Sequence, residues 1–468
     1  MILEQHYLGC LAQASYLIAD TDAGVAAVVD PRRDVDLYEA RAKELGVRIT
    51  HVFLTHFHAD FLAGHLELVQ RTGATLHLGS RAKADYDFHG LADGDEVVLG
   101  SLRVRCLETP GHTPESVCYL VFDGLADDPR GVLTGDTLFI GDVGRPDLMA
   151  SKGHTREELA GWLYDSTRNR LLTLPDATEL YPGHGAGSAC GKNLSSKTVS
   201  TIGEQRAENY ALQDMTREAF IETVTTGLVP PPAYFPVTAG LNKTTHAPLD
   251  AVLERGLVPL SLDEVFATAN SGATILDVRP ADAYSAGHLA GSVWVGLEGN
   301  FASWAGAVLD LERPVVLVGE PGQEREAALR LGRIGFDQVR GFLAGGSAGW
   351  EGAGESLSTT QRMDRVAARA ALASDDAPTV LDVRQPGEFE TARLDGAISI
   401  PLGQLRSRMD EVPDTANLFV HCKAGYRSLV AQSLLERAGR KGVVDLIGGI
   451  DAWIEDEGPV VGAGSCSI

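Results

Sequence analysis

Thr55-His56-Phe57-His58-Ala59-Asp60-Phe61 follows directly on the largely apolar run Ile49–Leu54. That run predicts a buried strand, and the glycine-free turn after it leads toward a helix. Imidazoles two residues apart at a strand end can both face one point above a sheet. Three further clusters repeat the arrangement: Thr109-Pro110-Gly111-His112-Thr113, Thr134-Gly135-Asp136-Thr137 and Tyr181-Pro182-Gly183-His184-Gly185. Each of these stands after a predicted strand and beside glycine, which lets the backbone turn and expose the next side chain. A lone loop histidine is usually just a solvated polar group. Four such clusters in one order make a candidate metal site.

Around these clusters, short apolar runs at Ala26–Val29, Val117–Phe122 and Val132–Thr134 predict strands, with helical patches at Asp36–Leu45 and Arg156–Leu163. Pro230-Pro231-Pro232, with Pro236 and Pro248 beyond, predicts a stiff connector or strap, because proline at this density does not continue a helix or a central strand.

The four clusters resemble the metallo-β-lactamase superfamily, whose pattern is HxHxDH followed by a histidine, a bridging aspartate and a final histidine. The fold this implies is an αββα sandwich. Where the family has histidine after the aspartate, this chain has Phe61, and a phenyl ring cannot ligate a second metal. What remains offers two imidazoles and one carboxylate, the donor set of non-haem Fe(II) sites that activate oxygen. This is similar to the persulfide dioxygenase branch. The resemblance implies one Fe(II) per chain held by His56, His112 and Asp136, with His58, Asp60 and His184 orienting ligands, water or substrate. Leu138-Phe139-Ile140-Gly141-Asp142-Val143-Gly144-Arg145-Pro146-Asp147 also resembles that branch and points to Arg145 as a substrate-binding residue, against the plainer reading of a loop salt bridge.

The remainder of the chain is a duplication. Ile275-Leu276-Asp277-Val278-Arg279 is echoed by Val380-Leu381-Asp382-Val383-Arg384, and Gly345-Gly346 with Trp350 by Gly448-Gly449 with Trp453. Each copy alternates β-rich runs with helical stretches, the pattern of a doubly wound α/β domain. In the second copy Leu418-Phe419-Val420 runs into His421-Cys422-Lys423-Ala424-Gly425-Tyr426-Arg427-Ser428. A cysteine between a strand and a helix N-terminus sits among N–H groups that favour thiolate, and Lys423 and Arg427 add positive charge. The loop resembles the rhodanese loop CxxGxR. The resemblance implies Cys422 as nucleophile with Arg427, and Lys423, Gly425 and Tyr426 as substrate contacts. In the first copy Gly319 falls at the nucleophile and Glu324 at the arginine, so that copy reads as an inactive rhodanese-like domain. The expected organisation is a metallo-β-lactamase-fold domain with its connector over 1–250, an inactive rhodanese-like domain over 251–357 and an active one over 358–468.

Composition narrows the function. The chain has 468 residues, 44% hydrophobic, enough for several cores. A net charge of −24 argues against a nucleic-acid surface. The sequence contains no long apolar run and opens on no basic-then-apolar leader, so a cytoplasmic protein without a membrane partner is expected. Six cysteines without a CxxC pair fit a reducing compartment. Cys106 and Cys118 read as core, Cys190 as structural or as a relay facing the metal, and Cys466 as a tail thiol able to reach Cys422.

The leading reading is iron-dependent oxidation of a low-molecular-weight persulfide, of the glutathione or coenzyme A type, by O2. Sulfite and thiol are the products, and sulfur transfer through Cys422 then gives thiosulfate. The alternatives are a glyoxalase II-like zinc thioester hydrolase fused to a sulfurtransferase, and a sulfur-carrier or redox-sensing scaffold in which Cys422 alone reacts. The thiol carrier, the direction of sulfur flow and self-association into a homo-oligomer stay open.

Overall fold

The computed structural model describes residues 1–148, 153–350 and 357–462. Two compact units divide it: Met1–Ala251 with Gly332–Gly335, and Val252–Leu331 with Phe336–Ile468.

The first unit holds two six-stranded sheets. One runs β1 (Ile2–Leu8), β2 (Gln13–Asp20), β3 (Val25–Val29), β4 (Arg48–Phe53), β5 (Thr75–Gly79) and β6 (His89–Leu91), in that spatial order. The other is built from β7 (Glu96–Leu99), β8 (Leu102–Glu108), β9 (Val117–Phe122), β10 (Gly131–Gly135), β11 (Glu179–Pro182) and β12 (Ser200–Thr201). Alternate side chains of both sheets meet in one core that includes Tyr16, Ile18, Val29, Phe53, Val104, Tyr119 and Leu133. The other face of the second sheet packs Cys118, Leu120, Phe122 and Leu180 against Leu163, Phe220 and Val224. Helices Asp36–Leu45 and His65–Thr72 lie in the chain around β4, completing the αββα arrangement.

Helix Arg156–Asn169 outruns the predicted patch. Thr155 accepts from the Glu158 N–H and Glu158 returns the bond to the Thr155 N–H, a capping box that fixes its start. The proline-rich passage is likewise more structured than a connector. Helix Phe235–Leu241 carries Pro236 in its first turn, where a missing N–H costs nothing, and helix Leu249–Gly256 starts just after Pro248.

The second unit contains two similar five-stranded sheets. The first copy comprises β13 (Pro259–Leu260), β14 (Thr274–Asp277), β15 (His288–Leu289), β16 (Val293–Trp294), β17 (Val315–Val318), β18 (Val339–Leu343) and β19 (Leu357–Ser358). Its sheet order is β13-β18-β17-β14-β16, all parallel, while β15 pairs with β19. The second copy, from β20 (Arg362–Met363), β21 (Thr379–Asp382), β22 (Ile398–Ser399), β23 (Leu418–His421) and β24 (Val443–Leu446), repeats that order as β20-β24-β23-β21-β22.

The duplicated Asp-Val-Arg forms the same buried fork in both copies. Arg279 and Arg384 each donate through Nε and Nη2 to their own aspartate, then bond the carbonyls of Gly287 and Ala392. Losing one partner would strand a buried charge, at a cost of about 3–5 kcal/mol. No helix among the described residues is long and apolar enough to cross a membrane.

Candidate active sites

His56, His112, Asp136 and His184 all stand just beyond strand ends of the first unit, after β4, β8, β10 and β11. His56 Nε2 lies 3.8 Å and His112 Nε2 3.5 Å from Asp136 Oδ2. All three side chains are buried, and Asp136 Oδ2 has no hydrogen-bond partner among the described residues. An unpaired carboxylate oxygen facing two imidazole nitrogens fits a cation between them. The remaining ring nitrogens are held from behind: His56 Nδ1 by Thr55 Oγ1 at 3.0 Å, and His112 Nδ1 by the Arg145 carbonyl at 2.9 Å. Burial lowers both imidazoles, so they stay neutral and able to ligate. Gly135, at φ +48°, brings β10 so close to Thr55 that a Cβ would collide with that side chain.

Asp30 organises the turn, and the sequence reading overlooked it. Its carboxylate accepts from the Thr55 N–H and hydroxyl, both at 2.8 Å, and pairs with His58 Nε2 at 2.9 Å. It sits at φ +50°, an unfavourable conformation for a non-glycine residue, so the surrounding bonds must hold it there. Asp30→Asn should therefore weaken metal binding about 10–100-fold, measured by competition with a chelator; unchanged affinity would remove Asp30 from this role. Asn242 was missed too. It donates to the His58 and Phe61 carbonyls at 2.8 Å and accepts from the Ala63 N–H at 2.9 Å, clamping the same turn from the end of helix Phe235–Leu241.

His184 bridges two carboxylates, Nδ1 to Asp136 and Nε2 to Asp60, each at 2.8 Å. Burial opposes its charge, yet Asp136 and Asp60 raise the imidazole well above its usual value. Phe61 is buried with its ring 4.3 Å from that of His58. Cys190 lies beside Asp60 and His184, with donor atoms of all three within 4.8 Å of one another. Burial, reinforced by the Asp60 and Asp136 charges, pushes its thiol well up. Arg145 is only 5% exposed; its guanidinium forks onto Asp147 at 2.7 Å and bonds the Ala189 and Val229 carbonyls. Those bonds pin the loop whose carbonyl orients His112.

In the second unit Cys422 directly follows β23, and the Gly425 N–H donates to its sulfur at 3.1 Å. Helix Tyr426–Arg437 begins there, with Gly425 at φ +90° as its cap. Gly449, at φ +62°, lets the following loop press on the Cys422 and Lys423 carbonyls, where a Cβ would clash. Lys423 is exposed. Arg427 forks onto Glu388 with two bonds of 2.7 Å, so its charge is shared with a carboxylate; Trp304 of the first copy lies 5.9 Å beneath it. The Tyr426 hydroxyl donates to the Gly296 carbonyl at 2.6 Å. The degenerate copy thus forms part of the wall around the active loop. Cys106 and Cys118 are core residues, and Cys466 lies outside the described residues.

A family model described as the metallo-beta-lactamase superfamily matches residues 8–184, and one described as a rhodanese-like domain matches 261–353 and 366–456. The mitochondrial persulfide dioxygenase ETHE1 of Bos taurus is 30% identical over 212 residues, covering 45% of this chain and 75% of that protein. A crystal structure of a metallo-beta-lactamase from Staphylococcus aureus is 30% identical with a TM-score of 0.66, covering 73% of this chain and 98% of that one. The chain belongs to the metallo-beta-lactamase superfamily and carries two rhodanese-like domains. A probable metallo-hydrolase of Burkholderia pseudomallei is similar as well, 29% identical over 256 residues, or 47% of this chain and 84% of that protein. Within this superfamily member, the matched segment ends on His184, the last of the four clusters.

Proposed function

We propose that the chain is an iron-dependent persulfide dioxygenase coupled to a thiosulfate-forming sulfurtransferase. The observation that carries this reading is the convergence of His56, His112 and Asp136, with Phe61 standing where a second-metal histidine would be. Bound by those three residues, Fe(II) supplies a redox-active centre with open positions for a soft sulfur donor and for dioxygen. The chain's own residues orient and shield it. Asp30 and Asn242 fix the histidine turn, the Arg145 carbonyl aims His112, and Phe61 and Phe139 keep water from the His184 side.

In the net reaction, RSSH, O2 and H2O give RSH and H2SO3. A second RSSH loads the Cys422 thiolate, releasing RS⁻ and leaving a cysteine persulfide; sulfite takes its outer sulfur as thiosulfate and regenerates the thiolate. Arg145 remains a candidate for the substrate entrance, and Lys423, Gly425 and Tyr426 for contacts to the transferred sulfur. The five described cysteines are free thiols, in keeping with a reducing compartment such as the cytoplasm. The competing hydrolase reading draws on the Asp60, His184 and Cys190 set, a second group of O, N and S donors. Oxygen uptake against glutathione persulfide and coenzyme A persulfide tests the proposal; thioester hydrolysis without oxygen uptake would favour the hydrolase.

A further inference from the structure

Arginines gather at the carboxyl end of the second copy's sheet, and each has a carboxylate of its own. Arg384 forks onto Asp382, which lies in register with His421 just before Cys422. Arg362 donates to Asp445 at 2.8 Å. Arg427 forks onto Glu388, at 2.7 Å from each terminal nitrogen. Lys423 is the exposed cation of the loop.

The duplication sorts these pairs. The aspartate–arginine fork recurs in the first copy as Asp277 and Arg279, so it belongs to the fold. The other two do not recur. Arg362 and Asp445 are partners across β20 and β24, within the sheet, where the first copy has Pro259 and Phe342. Glu388 and Arg427 stand outside the sheet, and alignment places Ala283 and Glu324 opposite them. Anion and cation are thus both replaced in the copy whose nucleophile position is Gly319. The Glu388–Arg427 pair goes with the chemistry of Cys422.

Its position agrees. Glu388 lies in the first turn of helix Pro386–Thr391, which follows β21, and Arg427 in the first turn of helix Tyr426–Arg437, which follows β23. β21 and β23 are parallel neighbours, so the pair bridges two helix starts just outside the strand ends where Cys422 emerges. Ligands of doubly wound sheets bind in that crevice. Gly425 and Ser428, on either side of Arg427 in the chain, both donate to Cys422 Sγ, at 3.1 and 3.4 Å. The Gln385 N–H also donates to Glu388, at 3.0 Å, which fixes the carboxylate. Burial opposes its charge, yet Arg427 holds the carboxyl below its ordinary value, so Glu388 is ionised at neutral pH. A guanidinium is well suited to hold the oxygens of sulfite or thiosulfate, which arrive with up to two negative charges. Here a carboxylate cancels that charge and occupies both terminal nitrogens.

We propose that Glu388 sets the affinity of the sulfurtransferase site for dianionic oxoanions and keeps it low, so that thiosulfate formed at Cys422 leaves. The carboxylate opposes incoming sulfite and outgoing thiosulfate alike. Weaker binding shortens the residence of the product, because affinity differences appear mostly in the rate of release. A persulfide, with at most one charge on its sulfur atoms, is opposed less. The assignment rests on the sulfurtransferase reading of Cys422.

The probe is inorganic sulfate, a dianion with no sulfur to transfer. Alkylation of Cys422 by neutral iodoacetamide is followed in the full-length protein by mass spectrometry of the Cys422 peptide. Sulfate is titrated against sodium chloride of equal ionic strength, which removes general screening. Glu388→Gln still accepts from Arg427 but carries no charge, and Glu388→Asp keeps the charge. The sulfate concentration that halves the rate should fall about tenfold in Glu388→Gln and stay within about twofold of the parent in Glu388→Asp. Unchanged or weaker protection in Glu388→Gln, the result for a residue that only orients Arg427, would overturn the assignment, as would no protection in either protein. An equal shift in Glu388→Asp would overturn it too. Melting curves identify a variant that has not folded; Glu388→Ala, which supplies the first copy's residue, then takes the place of Glu388→Gln with the same expectation. Protection needs no turnover, so a parent protein that shows the expected shifts but moves no sulfur from persulfide to sulfite would count against the sulfurtransferase reading instead.

Discussion

His112→Ala is expected to empty the metal centre and bring persulfide-dependent oxygen uptake to background. His112 supplies one of three converging donor atoms, and its ring is fixed from behind by the Arg145 carbonyl at 2.9 Å. Alanine leaves His56 and Asp136 alone, too few protein ligands for a stable site. The Asp136 carboxylate would still be paired with His184, so the fold should survive. Sulfur transfer from thiosulfate should remain near the parent rate, because Cys422 belongs to the other unit. Metal analysis and an oxygen electrode check the first outcome, and a thiosulfate assay the second. Retained oxygen uptake would remove His112 from the ligand set.

Cys422→Ser should have an equally large effect on the other chemistry, abolishing sulfurtransferase activity while oxygen uptake continues. Gly319 offers no nucleophile in the duplicated copy, so nothing there can substitute. Given persulfide and oxygen, the parent protein should yield mainly thiosulfate and the variant mainly sulfite. Tethering two active sites in one chain raises the effective concentration of the second, toward roughly millimolar for a short linker. Equal sulfite-to-thiosulfate ratios from the two proteins would show that the sites work independently. Residual transferase activity in Cys422→Ser would direct attention to another thiol, Cys190 first.

What could be read from the residues in order was what is local. The strand–turn clusters, the strands at Val117–Phe122 and Leu418–Val420 (the latter extended by one residue in the structure), and the helix starting at Asp36 follow from runs of hydrophobic residues. The duplication was visible because Asp-Val-Arg and Gly-Gly-Trp recur at similar offsets. Groups that act from a distance were not legible. Asp30 reaches Thr55 and His58 only because β3 lies beside β4 in parallel. Asn242 reaches the same turn from more than a hundred residues away, on a helix that the prolines were expected to forbid. Asp445 reads as one acidic residue in an apolar strand until β24 is placed against β23 and β20. The Glu388 partner of Arg427 was hidden for the same reason, so the arginine read as a free positive charge.

The most direct test is metal and oxygen stoichiometry on the full-length protein purified without oxygen. One iron per chain is expected, with one O2 consumed for every two glutathione persulfides as thiosulfate forms, and one O2 per persulfide with sulfite accumulating when Cys422 is replaced by serine. Two tightly bound zinc ions, with thioester hydrolysis and no oxygen uptake, would contradict that expectation.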